Sequence, residues 1–413
     1  MIKPKMLIAV SGCTGTGKTK LGIELAKKYD GEVISADSMQ IYKGLDIITN
    51  TVTEEEAAGI KHHCISFVAP EEQYNVIKFI NHTIPIIRDI FERDKTPIIV
   101  GGTAYYIEAL LWEFTLYDQS EMCKDDEYVK KSIPILESRL MNDYDKLKQL
   151  DPTHAQFLHP NDSRKIKRSL DIIKKHGISH SVLLNRQHQS SIAKRGKLRW
   201  DGALLFSVEC NQEVLDKRLD LRTEKMVELG LQTELDMFSS KMQNSESGLL
   251  HQVIGFKEFK SYLKLKQSDS NNSKALEEAL KEGIEKMKTV TKRYSRKQIR
   301  WIKNRLQQDN VCPNYYFRRL DSTFPEKWEQ VISCPVYDTV ERFFSRTLDK
   351  SFIDTFQQPR RTTHCCKICD VTCIGEDSFS VHMQSRKHRR KKAYKNRTLI
   401  YDKSETIEKE KVV

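Results

Sequence analysis

The stretch Met6-Leu7-Ile8-Ala9-Val10-Ser11-Gly12-Cys13-Thr14-Gly15-Thr16-Gly17-Lys18-Thr19 passes from an apolar run straight into G-x-x-x-x-G-K-T. Residues 6–11 read as a buried strand, and those after Lys18 read as a helix to about Tyr29. A strand before and a helix behind is the context that gives this motif its meaning. Glycines let backbone N–H groups close round an anion without Cβ clashes, and the helix N-terminus adds partial positive charge. Gly12, Thr14, Gly15, Thr16 and Gly17 therefore form the cradle of a candidate polyphosphate site. Lys18 is expected to meet the terminal phosphate, and the Thr19 hydroxyl to lie near Mg²⁺. By itself this loop fits nucleotide hydrolysis or a small-molecule kinase.

Further short apolar runs follow at 32–36 (EVISA), 97–100 (PIIV) and 203–208 (ALLFSV), with helical stretches between them. Strands alternating with helices imply an α/β fold, here a P-loop NTPase-like parallel sheet covered on both faces. Loops beyond the carboxyl ends of such strands line the ligand crevice. Asp37 after the second strand and Thr103 in Gly101-Gly102-Thr103 are thus candidates to face the same phosphate as Lys18, although Asp and Thr at these points equally suit helix capping.

The chain divides on composition. Residues 1–114 read as the first part of the core, 115–200 as a polar helical insertion, and 201–310 as the second part of the core. Within the last, 264–280 contains a Ser/Asn-rich loop and 284–306 reads as a basic helix. Met287, Val290, Tyr294 and Trp301 recur there at helical spacing as one apolar face. Residues 311–362 read as an irregular connector, 363–397 as a metal module and 398–413 as a disordered tail. The formal charge of +12 favours a polyanionic partner. No run approaches the about 18 apolar residues of a membrane span, and the short N-terminal MIKPK leaves no room for a signal peptide. An intracellular setting is expected, in cytoplasm, nucleus or mitochondria.

Cys366-x2-Cys369-x12-His382-x5-His388 has the ligand spacing of a Cys₂His₂ zinc finger. Four protein ligands leave no open position for water, so a structural Zn²⁺ is expected. Arg386, Lys387, Arg389, Arg390, Lys391 and Lys392 continue the module as a basic face suited to RNA phosphates, a run that equally suits a nuclear localisation signal. Cys373 lies inside the finger where an aromatic residue is common.

Several segments in fixed order resemble the tRNA dimethylallyltransferase (isopentenyltransferase) family, in its eukaryotic form with a C-terminal zinc finger. They are the P-loop, DSMQIYKGLDI at 37–47, His62-His63, GGTAYYIEALL at 101–111, DPTHAQFLHPNDSRKIKRSLDI at 151–172, LDKRLDLRTEKMVELGL at 215–231 and HQVIGFKEF at 251–259. The resemblance implies Asp37 as the general base on an adenine amine and Thr103 as a catalytic positioning group. It implies Lys18, Thr19 and Arg222 as ligands of a diphosphate leaving group with Mg²⁺. It also implies tRNA contacts from Asp37, Ser38, Met39 and Gln40, and from Asn161, Arg164, Lys165, Lys167 and Arg168. Ser163 stands where the family pattern has Gln. His62-His63 reads as structural or lining.

The expected reaction moves a dimethylallyl group from dimethylallyl diphosphate to the adenine just 3′ of a tRNA anticodon. A stacked base cannot reach a buried diphosphate, so it must be flipped out. The expected partners are the anticodon stem-loop and the prenyl diphosphate, with no membrane and a monomeric chain. A small-molecule kinase and a non-catalytic RNA binder are the alternatives at this point.

Overall fold

In the computed structural model the apolar runs become strands because each is buried on both sides. The residues described are 5–113, 141–189, 197–241, 253–267, 273–307, 314–348 and 363–394, save Asp370 and Gly375. The chain forms two units, Met1–Leu116 with Arg195–Gln357, and Tyr117–Lys194 with Gln358–Val413. The tail beyond 394, Cys123 and Cys312 lie outside the described residues.

The first unit opens with β1 (Met6–Gly12), α1 (Lys18–Lys28), β2 (Gly31–Ser35), α2 (Glu54–Ala57), β3 (His62–His63), α3 (Val76–Glu92), β4 (Thr96–Gly101) and α4 (Ala104–Leu111). In the second unit follow α5 (Asp143–Leu150), α6 (Pro152–Ala155), α7 (Ser163–His176) and α8 (His180–Gln189). The first unit resumes with β5 (Gly202–Glu209), α9 (Gln212–Glu228), α10 (Leu231–Lys241), α11 (Lys260–Gln267), α12 (Ser273–Arg305), β6 (Tyr315–Asp321) and α13 (Cys334–Phe344). The finger adds β7 (Thr363–Cys366), β8 (Val371–Ile374) and α14 (Glu376–Gln384).

The main sheet has the order β3-β2-β4-β1-β5-β6 and every pairing in it is parallel. A parallel sheet needs helices on both faces, and alternate residues of β1 show both. Leu7 and Ala9 join α3, α4 and the end of α12 through Ile87, Leu110 and Ile302. Ile8 and Val10 join α1 and α13 through Leu21, Leu25, Val336 and Phe343. A separate cluster beside the sheet ties Ile41, Leu45 and Ile48 to Leu235, Phe259 and Met287. Because β2, β4 and β1 are neighbours, the turns that follow them emerge side by side at the carboxyl edge of the sheet.

Three expectations are corrected. Residues 314–348, read as irregular connector, supply β6 and α13 of the first unit. β6 escaped notice because Arg318 and Arg319 interrupt its apolar pattern, yet Tyr315, Phe317 and Leu320 are buried. The basic helix read over 284–306 starts earlier, at Ser273, as α12, which runs for 33 residues. The inward face of that helix is Gly283, Met287, Ser295, Gln298 and Ile302. Tyr294 and Trp301, read as part of its apolar face, are 37% and 46% exposed.

The described part of the insertion has its own small core of Leu147, Ala155, Leu158, Ile166 and Ile173. Asp151, 1% exposed, accepts from His154 N and Ser181 N and so satisfies the starts of α6 and α8 with one carboxylate.

Candidate active site and candidate metal centre

The phosphate loop leaves β1 at Gly12 and enters α1 at Lys18. Gly15 and Gly17 hold φ of 84° and 89°, a left-handed conformation that side chains resist. At Gly17 a Cβ would also come within 2.8 Å of the Trp328 ring. Thr16 is buried, and its hydroxyl donates to Cys13 O at 2.9 Å, tightening the loop from inside. The Thr19 hydroxyl is on the exposed first turn of α1.

The next two turns are joined to each other. Thr103 N donates to Ala36 O at 3.2 Å, and Ser38 N donates to Thr103 Oγ1 at 3.1 Å. Asp37 Oδ1 accepts from Met39 N at 3.0 Å, which fixes the carboxylate direction. Gln40 is engaged elsewhere: its amide accepts from Ser35 Oγ and donates to Thr49 O and Asn50 O. A base contact from that amide would require one of these bonds to open.

Gln298, which the sequence reading did not single out, joins the turns to the phosphate loop. It is 5% exposed on α12. Its Oε1 accepts from Thr14 N at 3.1 Å and its Nε2 donates to Gly102 O at 3.2 Å. A Cβ at Gly102 would collide with that amide at 2.4 Å, which explains glycine at this point. A polar residue on the inward face of an amphipathic helix was the available signal.

Lys18, Asp37 and Arg222 face one another electrostatically. Burial pushes the Lys18 ammonium below its ordinary pKa, with Asp37 opposing and Arg222 adding to the shift. Burial likewise pushes Arg222 down to about 10, against the opposing charges of Asp37 and Glu56. Neither cation has a hydrogen bond or ion pair among the described residues. The two desolvated cations share Asp37, and only the exposed Glu56 is added against Arg222, so a bound anion would relieve their desolvation.

Arg218, one helical turn earlier on α9, differs in every respect. Its guanidinium donates to Ser322 O, Thr323 O and Cys210 Sγ, tying α9 to the end of β6. His62 Nδ1 lies 2.8 Å from Ile60 O. His63 Nε2 and Glu32 Oε2 are 2.7 Å apart, and Arg93 completes the buried Glu32 ion pair. Those bonds hold Glu32 down at about 2, Arg93 first among the causes.

In the second unit α7 buries Ile166, Ser169 and Ile173 and turns Arg164, Lys165, Lys167 and Arg168 outward. Asn161 is exposed just before it. Asp162 caps the helix and pairs with Lys165 at 2.7 Å, leaving three of the four cations free of ion pairs among the described residues.

The finger is a β7–β8 hairpin followed by α14. Cys366, Cys369, His382 and His388 bring their ligand atoms within 4.8 Å of one another. His388 Nδ1 lies 3.5 Å from each sulfur and 3.2 Å from His382 Nε2. Tetrahedral zinc with Zn–S of about 2.3 Å and Zn–N of about 2.0 Å requires edges of roughly 3.5 Å and roughly 3.3 Å. The donor set fits zinc in kind and in spacing. Cys373 is buried on β8 outside this set. The aromatic residue comes from α14 instead, where Phe379 stacks on His364 at 4.9 Å. Ser385 Oγ accepts from His388 N and starts a second helical stretch with Arg386, Lys387, Arg389 and Arg390 exposed.

The IPP transferase family profile matches residues 40–305, an isopentenyl transferase profile matches 5–66, and a C2H2-type zinc-finger profile matches 364–388. The tRNA dimethylallyltransferase of Homo sapiens is 37% identical, covering 98% of this chain and 90% of its own. That of Mus musculus is 38% identical over 92% and 85%. A crystal structure of a eukaryotic dimethylallyltransferase acting on tRNA superposes with a TM-score of 0.73 at 30% identity, covering 97% and 99%. The match to these relatives runs over nearly the whole chain, which belongs to the IPP transferase family of tRNA dimethylallyltransferases.

Proposed function

We propose that this protein transfers the dimethylallyl group of dimethylallyl diphosphate to N6 of the adenine immediately 3′ of a tRNA anticodon. The observation that carries the chemistry is the Gln298 tie between the phosphate loop of Lys18 and the Thr103 turn, which in turn holds the Asp37 turn. A kinase or hydrolase reading accounts for the loop alone. It leaves Asp37 on its hydrogen-bonded turn, the cationic α7 and the finger without a use.

The diphosphate lies in the cradle of Gly12, Thr14, Gly15, Thr16 and Gly17, against Lys18 and Arg222. As the C1–oxygen bond breaks, charge grows on the leaving oxygens where these cations stand, so they stabilise the transition state more than the bound substrate. The Thr19 hydroxyl and the diphosphate oxygens suit Mg²⁺, an oxygen-seeking ion that usually keeps waters and substrate phosphates as ligands. When bound, it would neutralise part of the leaving-group charge. The N6 lone pair forms the new bond to C1, and Asp37 takes the proton that N6 releases. Thr103 holds the Asp37 turn through Ser38, so its role is to position the base. Asp37, Ser38, Met39 and Gln40 line the acceptor side. Asn161, Arg164, Lys165, Lys167 and Arg168 bind the RNA backbone, and the zinc finger grips the anticodon stem.

The test is mass spectrometry of an anticodon stem-loop RNA incubated with the protein, Mg²⁺ and dimethylallyl diphosphate. A prenyl mass on the adenine after the anticodon is expected, with Asp37→Ala slowing transfer by about 10²–10⁴-fold. Wild-type protein that binds the RNA and adds no mass would overturn the reading in favour of a silent RNA binder. ATP hydrolysis in its place would favour the kinase or hydrolase.

A further inference from the structure

The phosphate loop has two flanks at the carboxyl edge of the sheet, because β1 lies between β4 and β5, with β6 beyond β5. On the β4 side stand the Thr103 and Asp37 turns. On the other side the chain closes on itself. Ser322 N and Oγ donate to Glu209 O at 2.8 and 2.9 Å, and Asn211 N donates to Thr323 Oγ1 at 2.9 Å. These bonds, with the Arg218 contacts, staple the end of β6 to the end of β5.

The chain then returns over the start of α1. Trp328 lies between a 3₁₀ turn, Pro325–Lys327, and a π-helical turn, Glu329–Ser333, a rare conformation found often at functional sites. Its six-membered ring comes within 2.8 Å of where a Gly17 Cβ would stand. Lys20 Nζ is 4.5 Å from a centroid of the indole, and Nε1 donates to Glu24 Oε1 at 3.0 Å. Positions 17, 20 and 24 share one side of a helix, so the indole lies along the first turns of α1. Glu24 Oε2 also accepts from Ser333 Oγ at 2.8 Å, and Trp328 shares its apolar cluster with Ile332 and Val336. The ring is therefore fixed at both ends. Gly15 is backed in a similar way, since Leu219 and Leu215 of α9 would meet its Cβ at 3.0 and 3.3 Å.

This placement bears on what the loop accepts. A glycine-rich loop and a helix N-terminus bind phosphates, which nucleotides and prenyl diphosphates share. Whatever is esterified to those phosphates must leave the cradle over one of its rims. The rim along α1 holds a large, fixed ring. The opposite rim faces Asp37, whose charge acts on Lys18. A five-carbon chain leaving that way brings its C1 toward Asp37, as transfer requires. A nucleoside leaving over α1 would collide with the indole, and a built-in clash is one of the two routes to specificity.

We propose that Trp328 is a specificity-determining residue, barring nucleotides from the phosphate loop by filling the α1 rim of the cradle. This rests on the diphosphate reading above and explains how a loop of nucleotide-binding type is reserved for a prenyl donor.

The test is inhibition of prenyl transfer by ADP and by inorganic diphosphate, each against dimethylallyl diphosphate with Mg²⁺ and saturating stem-loop RNA. Inorganic diphosphate carries the phosphates alone, and ADP adds the nucleoside. In the wild-type protein ADP is expected to inhibit more weakly than diphosphate by about tenfold or more. Trp328→Ala should bring the two inhibition constants level, and Trp328→Phe, which keeps a ring beside Gly17, should keep the wild-type ratio. Trp328→Leu, which keeps an apolar side chain in the cluster, replaces the alanine variant if that chain does not fold. A merely structural loss would weaken both inhibitors together and leave their ratio as it was. ADP inhibiting the wild-type protein as strongly as diphosphate, or an unchanged ratio in the folded variant, would overturn the proposal. Failure of diphosphate to compete with dimethylallyl diphosphate in the wild-type protein would instead sink the diphosphate reading beneath it.

Discussion

The phosphate cradle and the C-terminal finger both begin as short motifs, but their side chains are held by different means. The cradle is held by residues far away in sequence. Thr14 N meets Gln298 across 284 positions, Gly102 O meets it across 196, and Ser38 meets Thr103 across 65. The finger closes within itself: Cys366 and Cys369 meet His388 across 22 and 19 positions. The cradle is thus shaped by a six-stranded sheet whether or not a ligand is present. Among its described residues the finger has two short strands, two helical stretches and few buried side chains, so the metal must contribute most of its folding energy. A preorganised site can keep cations unpaired for a substrate; a metal-dependent module cannot, because its ligands are committed to the ion.

The two arginines of α9 sharpen this contrast most strongly. Arg222→Gln removes a desolvated cation from the leaving-group end, and single-turnover transfer should fall by about 10²–10³-fold. The melting temperature should hold or rise, since an unpaired, half-buried charge opposes folding. Arg218→Ala should do the reverse. It strips the Ser322 and Thr323 carbonyls of their donor, costing about 1–3 kcal/mol of stability with transfer at low temperature little changed. Melting curves beside single-turnover rates would separate the two, and equal stability losses would remove the distinction.

A smaller effect is expected at Gln298. Gln298→Leu leaves Thr14 N and Gly102 O without their partner, about 1–3 kcal/mol, of which one tenfold step in rate is 1.36 kcal/mol. Transfer should slow by about tenfold because both the phosphate loop and the Thr103 turn lose their shared tie. Comparing kcat with the KM of each substrate would check this. A change confined to RNA binding would make Gln298 part of the RNA surface instead.

Sequence and structure agree where the information is local. The strand–loop–helix around Lys18, the turns carrying Asp37 and Thr103, and the spacing of Cys366, Cys369, His382 and His388 are all written within a few residues. Family resemblance added Arg222, which spacing alone does not distinguish from Arg218. What escaped was decided by tertiary contacts. Gln298 and Ser295 face inward on α12 although both are polar, whereas Tyr294 and Trp301 stay part-exposed although both are aromatic. The apolar spacing therefore found Met287 on the inward face but missed Ser295 and Gln298. β6 was hidden by Arg318, whose side chain is satisfied by Pro335 O and Thr339 Oγ1.

The most direct measurement is single-turnover transfer to an anticodon stem-loop at saturating RNA, with zinc removed by Cys366→Ser and a chelator. If the cradle is complete without the finger, the rate constant at saturation stays at the wild-type value while the RNA concentration for half-saturation rises. A collapse of the rate at saturating RNA, in protein whose main melting transition is unchanged, would contradict the separation of the two sites and make the finger part of the catalytic apparatus.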